Sequence, residues 1–318
     1  GTGNDSITTG TGNDTILADN GNNTISASDG VNSITAGTGN DSITTGTGND
    51  TILADDGNNS IDAGAGANHV TGGTGNDTIT TGSGSDTIAA GAGANTVAAG
   101  DGTNSITVGA GSDTVSGGSG NDTVIDTGGN NTVSVGDGEN SVTTGAGNDT
   151  INTGAGNDTI VSGDGNDTVS GGGGDDVITT GTGAAGQDFM FGGSGADTFV
   201  FAAGDSSTTA GSGDQIKDWE TSDKISGYGT AGSLINYTER TASDYTDAVS
   251  AANVAITTNG FKYVAVQVGT DVVVFVNSVA TTSGGTGTIT GAVGADDAVV
   301  LVGRTLADIA DNGSNIIV

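Results

Sequence analysis

The stretch GTGNDSITTGTGNDTILA occupies residues 1–18 and returns without a change at residues 37–54. Divided into nines from Gly1, the chain gives twenty consecutive blocks without insertion as far as Thr180. Position three of every block is Gly, position five is Asp or Asn, and position seven is Ile or Val. A glycine every few residues supplies the positive φ of a tight turn. The Ser/Thr, Ile/Val, small-residue triplet after it predicts a short strand with one inward side chain. Nine residues then make one turn and one strand, and eighteen make a coil with a strand on each face and a loop at each edge. The expectation is an all-β chain built on a right-handed parallel β-roll over residues 1–201. A two-residue insertion at Gly181 and Thr182 precedes two further blocks, GAAGQDFMF and GGSGADTFV, for about 22 repeats in all.

Composition agrees with such an array and excludes several classes. Of 318 residues 62 are Gly, none is Pro or Cys, and aromatics make up 3%, which is not the composition of an ordinary enzyme. Without cysteine there are no disulfide staples and no thiolate metal ligands. No apolar run is long enough to cross a membrane as a helix, so no membrane insertion is expected. There is neither a cleaved secretory leader pattern nor an initiator methionine, which points to a piece of something longer. All five basic residues (Lys217, Lys224, Arg240, Lys262, Arg304) follow position 216, whereas 25 of the 38 acids lie within the first 201 residues. So bare a polyanion repels nucleic acid and attracts cations.

Stretches such as GGTGNDTIT (residues 72–80), GGSGNDTVI (117–125) and GGSGADTFV (192–200) match the nonapeptide G-G-x-G-x-D-x-U-x throughout, and the chain resembles the repeats-in-toxin (RTX) family over residues 1–201. Elsewhere Thr or Ala usually replaces the first glycine. The resemblance implies multiple calcium ions between loops of successive coils, held by position-five side chains and backbone carbonyls. Oxygen-only ligation of tolerant geometry suits Ca²⁺ better than Mg²⁺. The side chains so implied are Asp5, Asp14, Asn23, Asn32, Asp41, Asp50, Asn59, Asn68, Asp77, Asp86, Asn95, Asn104, Asp113, Asp122, Asn131, Asn140, Asp149, Asp158, Asp167, Asp176, Asp188 and Asp197. The carbonyls are those of turns at Gly3, Gly12, Gly39, Gly48, Gly75, Gly84, Gly147, Gly156, Gly165 and Gly174. Position five runs Asp, Asp, Asn, Asn through block 16 and is Asp thereafter, so Asp coils alternate with Asn coils. Asn keeps an oxygen ligand and drops a charge. Two columns of eleven loops leave ten gaps each, hence up to about 20 ions if Asn gaps fill, and fewer if they stay empty. One buried Ile or Val per repeat is little apolar burial against the entropy of ordering nine backbones. Calcium binding and folding are therefore expected to be a single event.

Residues 202–318 are expected to form a small, mostly β or α+β capping module. Asp214-Gln215-Ile216-Lys217-Asp218-Trp219 with Asp223-Lys224-Ile225 resembles the segment that closes the roll in serralysin-type proteases. A helix is predicted over 243–253 with Ser243 as N-cap, a hairpin around Gly269-Thr270-Asp271, and a strand over 298–302. The final Ser314-Asn315-Ile316-Ile317-Val318 resembles the family's uncleaved type I secretion signal, and the type I secretion machinery is an implied partner. No catalytic constellation is visible: there is one histidine and no H-E-x-x-H or G-x-S-x-G, so the chain is not expected to be an enzyme. The chain looks most like the C-terminal region of an RTX-type bacterial S-layer protein: a secreted, calcium-binding structural protein of the cell surface that self-associates into a lattice or filament. Flat Ser/Thr strand faces (Ser6, Thr15, Thr24, Ser33, Ser42, Thr51) suit such contacts. The alternatives are a calcium-triggered folding and export module of a larger secreted enzyme, toxin or adhesin, and an ice-binding solenoid. Against the last, position two along one column runs Thr2, Asn20, Thr38, Asp56, Thr74, Ala92, which breaks the regular file that ice requires.

Overall fold

The computed structural model describes residues 1–181, 186–202, 205–206, 212–226, 237–259, 263–276, 297–304 and 306. Each repeat contributes a strand that starts at position six: Ser6–Thr8, Thr15–Leu17, Thr24–Ser26, Ser33–Thr35 and onward. Strands eighteen residues apart pair in parallel and in register, with Ser6 opposite Thr24 on one sheet and Thr15 opposite Ser33 on the other. The expected parallel β-solenoid is thus present, of about eleven turns and almost wholly β. The chain divides into two compact units, Gly1–Ile160 and Val161–Val318.

In the first unit the interior is wider than one side chain per repeat. Position seven is buried as expected, with Ile34, Ile52 and Ile79 among its members. Position nine is buried as well (Ala27, Ala36, Ala54, Thr81), and so is position five (Asn23, Asp41, Asn59, Asp77). Residues two apart on extended chain share a face. Positions five, seven and nine therefore all point inward, two more than the triplet alone predicted. Position three is where only glycine fits. Gly39 has φ +138°, and a Cβ built there would lie 2.2 Å from the carbonyl oxygen of Gly21 one coil earlier.

In the second unit the repeat continues with bulkier interior residues, Met190, Phe199 and Phe201. The bond from Asp167 N–H to Asp188 Oδ1 spans 21 residues instead of eighteen. That coil therefore carries three extra residues, one more than the insertion assigned at Gly181 and Thr182, because the conserved frame is set by the position-five ladder and not by the glycines. After Phe201 the solenoid does not end. Gln215–Ile216 pairs in parallel with Phe189–Ser194, and Lys224–Ser226 pairs with Thr198–Val200. On the first of these sheets the order then runs through Asp297–Leu301, Asp271–Val276, Tyr263–Val268 and Tyr237–Ala242. The hairpin forms as predicted, with Gly269 at φ +60° in its turn. The helix is Tyr245–Asn259, longer than expected, and its cap is Asp244 in place of Ser243. Asp244 Oδ1 accepts the N–H of Asp247, the N-cap bond, and Asp247 Oδ2 accepts that of Ser243, the residue before the cap. Ala248 and Ala252 pack on Val264, Val266, Phe275 and Ala298 to form the core of this module. Residues 314–318, where the secretion signal is expected, lie outside the described residues.

Candidate metal sites in the two loop columns

Position-five side chains form a ladder down each column. Asn23 N–H donates to Asp41 Oδ1 at 2.7 Å, Asp41 N–H to Asn59 Oδ1 at 2.9 Å, and Asn59 N–H to Asp77 Oδ1 at 2.8 Å. The other column repeats this from Asp14 through Asn32, Asp50 and Asn68. Asp and Asn are interchangeable in this role, because one side-chain oxygen caps the backbone N–H of the coil before. A second ladder runs on the outer side in the opposite sense. Position-four Asn22 Oδ1 accepts from Asn40 N–H, and Asn40 Oδ1 from Asn58 N–H, both at 2.8 Å.

The remaining side-chain atom separates the two residue types. In Asn23 the Nδ2 donates to the carbonyls of Asp19 at 3.2 Å and Gly21 at 3.0 Å in its own loop, and of Ala36 at 3.3 Å ahead of the next loop in the column. Asn68 repeats all three bonds to Gly64, Gly66 and Thr81, as does Asn140 to Gly136, Gly138 and Thr153. In an aspartate loop the same place is taken by Oδ2, an acceptor. The Oδ2 atoms of Asp41, Asp50, Asp77, Asp86, Asp113 and Asp122 are buried without a hydrogen-bond partner. A buried carboxylate oxygen among carbonyl oxygens demands a proton or a cation. Burial accordingly pushes the carboxyls of Asp41, Asp77, Asp86, Asp113 and Asp122 above their ordinary value.

Among the described residues no three acidic or imidazole side chains converge, so any ligand set must draw on the backbone. The cradle supplies it: one carboxylate oxygen with the carbonyls of positions one and three and of the position-nine residue thirteen places on. Such a set is oxygen-only and fits calcium. Gly3, Gly12, Gly39, Gly48, Gly75, Gly84, Gly147, Gly156, Gly165 and Gly174 all hold position three of aspartate loops. Gly111 and Gly120 hold the same place in the loops of Asp113 and Asp122 and belong with them.

Comparison with protein families gives eight matches to the RTX calcium-binding nonapeptide repeat, which together cover residues 1–207, at residues 1–34, 26–61, 53–88, 62–97, 89–124, 125–160, 152–184 and 180–207. The chain belongs to the RTX calcium-binding repeat family. Comparison with curated proteins finds no match.

Three features of this RTX array were missed from sequence. Asp214 Oδ1 accepts from Asp188 N–H and Asp223 Oδ1 from Asp197 N–H, each at about the spacing of the ladder bonds, so both columns gain a further rung. The D-x-I pattern at Asp214 and Asp223, nine residues apart, was the available signal. Burial, reinforced by neighbouring carboxylates, raises Asp188 to about 7 and Asp223 to about 6. Asp223 Oδ2 already accepts the N–H of Glu220, so that rung is finished by protein. Asp218 binds the N–H groups of Gly192 and Gly193 through its two oxygens. Finally, Asp126 stands at a position nine that is otherwise small or neutral in the first unit. It accepts the N–H groups of Thr127 and Gly128 and the Nδ2 of Asn131, which is how a buried acid is held there.

Proposed function

We propose that the chain is a secreted calcium-binding structural protein of the bacterial cell surface, part of an S-layer or matrix lattice, exported by type I secretion and folding on calcium outside the cell. The observation that carries this reading is the pair of in-register strand faces. Outward position six lines up Ser6, Thr24, Ser42, Ser60 and Thr78 on one sheet, which offers a long regular surface for contacts with copies of itself. Apolar residues on these faces, Leu17 at 66% exposure and Ile125 at 47%, add adhesive points. The chain has no enzymatic role in this reading, and its one histidine, His69, sits exposed on a strand face. Calcium is bound at the aspartate cradles in this reading, which the unpartnered buried Oδ2 atoms of Asp41, Asp77 and Asp113 support. A second reading, a folding and export module of a larger secreted enzyme, toxin or adhesin, draws support from the strands after Phe201, which continue the sheet and cover its edge. Electron microscopy of purified protein with millimolar calcium tests the choice. Ordered sheets or filaments support the lattice role, whereas monodisperse monomers at high concentration count against it and favour the module.

A further inference from the structure

In the loops of the repeat one side-chain oxygen at position five makes the same ladder bond, and the second side-chain atom is a nitrogen in eight of them and an oxygen in fourteen. We infer that the asparagine loops are built to hold no calcium: their Nδ2 occupies the place of the ion's carboxylate oxygen and satisfies by N–H donation the carbonyls that an aspartate loop keeps for the cation. The inference rests on calcium binding at the aspartate cradles and says which of them fill.

The geometry recurs in four further loops, while in that of Asn131 the Nδ2 donates to Gly129 O and to the Asp126 carboxylate. Asn32 Nδ2 donates to Ser28 O and Gly30 O, Asn59 to Asp55 O and Gly57 O, Asn95 to Gly91 O and Gly93 O, and Asn104 to Gly100 O and Gly117 O. A carbonyl oxygen has two lone pairs, but an amide hydrogen directed into the cradle repels a cation at the same point. The Oδ1 of each asparagine is already engaged by the N–H of the preceding coil, so the side chain cannot turn its oxygen inward without breaking the ladder. In the aspartate loops the ladder bond is the same, and the carboxylate still presents a second, unpartnered oxygen at Asp41, Asp77 and Asp113.

The order of residues then has a physical meaning. Within Gly1–Ile160 the Asp, Asn alternation places consecutive ions of a column two coils apart, about 10 Å, where adjacent coils would put them at about 5 Å. Doubling the separation halves the repulsion between the dications. The amide loops act as spacers that need no ion and tie the charged coils together.

The test counts calcium on the full chain by equilibrium dialysis and elemental analysis, with circular dichroism to verify the fold. Asn23→Asp, Asn59→Asp and Asn95→Asp together should add three ions per chain. Asp41→Asn, Asp77→Asn and Asp113→Asn together should remove three, keep the β signal, and fold at lower calcium than the parent. A parent that binds calcium but whose count stays the same in both triple variants overturns the inference and leaves calcium binding standing. A parent that binds none overturns calcium binding at the cradles, and this inference with it.

Discussion

Replacing Gly57 by alanine tests whether coil stacking, and not merely turn conformation, dictates the position-three glycine. Gly57 has φ +141°, and a Cβ there would sit 1.8 Å from Gly39 O, whereas a carbon–oxygen contact settles at roughly 3.3–3.6 Å. The two coils must part locally. Bonds that hold them together next to this point are Gly39 N–H to Asp56 O, Ser60 N–H to Asp41 O, Asn58 N–H to Asn40 Oδ1 and Asp41 N–H to Asn59 Oδ1. Losing most of these at a net value near 1 kcal/mol each costs about 3–4 kcal/mol, and the backbone conformation adds about 1–3 kcal/mol. Gly12→Ala is the matched control: its φ is +135°, but a Cβ there meets nothing within 4 Å, so only the conformational part is incurred. Urea unfolding at saturating calcium, followed by circular dichroism and backed by hydrogen exchange at residues 39–60, should show the loss at Gly57 exceeding that at Gly12 by about 3 kcal/mol. Equal losses would refute the stacking argument.

Asn59→Ala removes the acceptor for Asp41 N–H and both Nδ2 donors, leaving buried backbone groups unpaired; a loss of about 3–5 kcal/mol is expected in the same urea assay, and a loss under 1 kcal/mol contradicts the ladder's role. Ile79→Ala, at a fully buried position seven, should cost about 2–5 kcal/mol, read from the shift in melting temperature. For the calcium-free chain, burial raises Asp41, Asp77, Asp86, Asp113 and Asp122, with Asp188 at about 7. Because the folded form holds these protons more tightly, the stability they contribute is complete below the unfolded carboxyl value, about 3.9, and is lost as pH rises through the folded values. In chelator, β signal should therefore be greater at pH 4 than at pH 8; the reverse order would show that the cradle carboxyls do not govern folding.

The repeat was legible because its three most constrained positions are constrained by different physics. Position three must be glycine for φ and stacking, position five must carry a side-chain oxygen for the ladder, and position seven must be apolar. Position nine was not legible. Ala27, Thr81, Asp126 and Val135 share no hydropathy, since the site asks for a small or hydrogen-bonded group beside the cradle and little else. The amide cradle was also hidden, because the third carbonyl comes from a residue thirteen places on and one coil away. Asp214 and Asp223 escaped because eight extra residues precede them, so the spacing that marks the other rungs changes from eighteen to 26. The alternation of Asp and Asn was plain in the sequence, but its meaning needed the position of one nitrogen.

Far-ultraviolet circular dichroism at pH 8, in excess chelator and then in millimolar calcium chloride, tests most directly whether cations at the aspartate cradles are what hold this fold. The account predicts a disordered spectrum in chelator and a β spectrum once calcium is restored. Superimposable β spectra under the two conditions would contradict it.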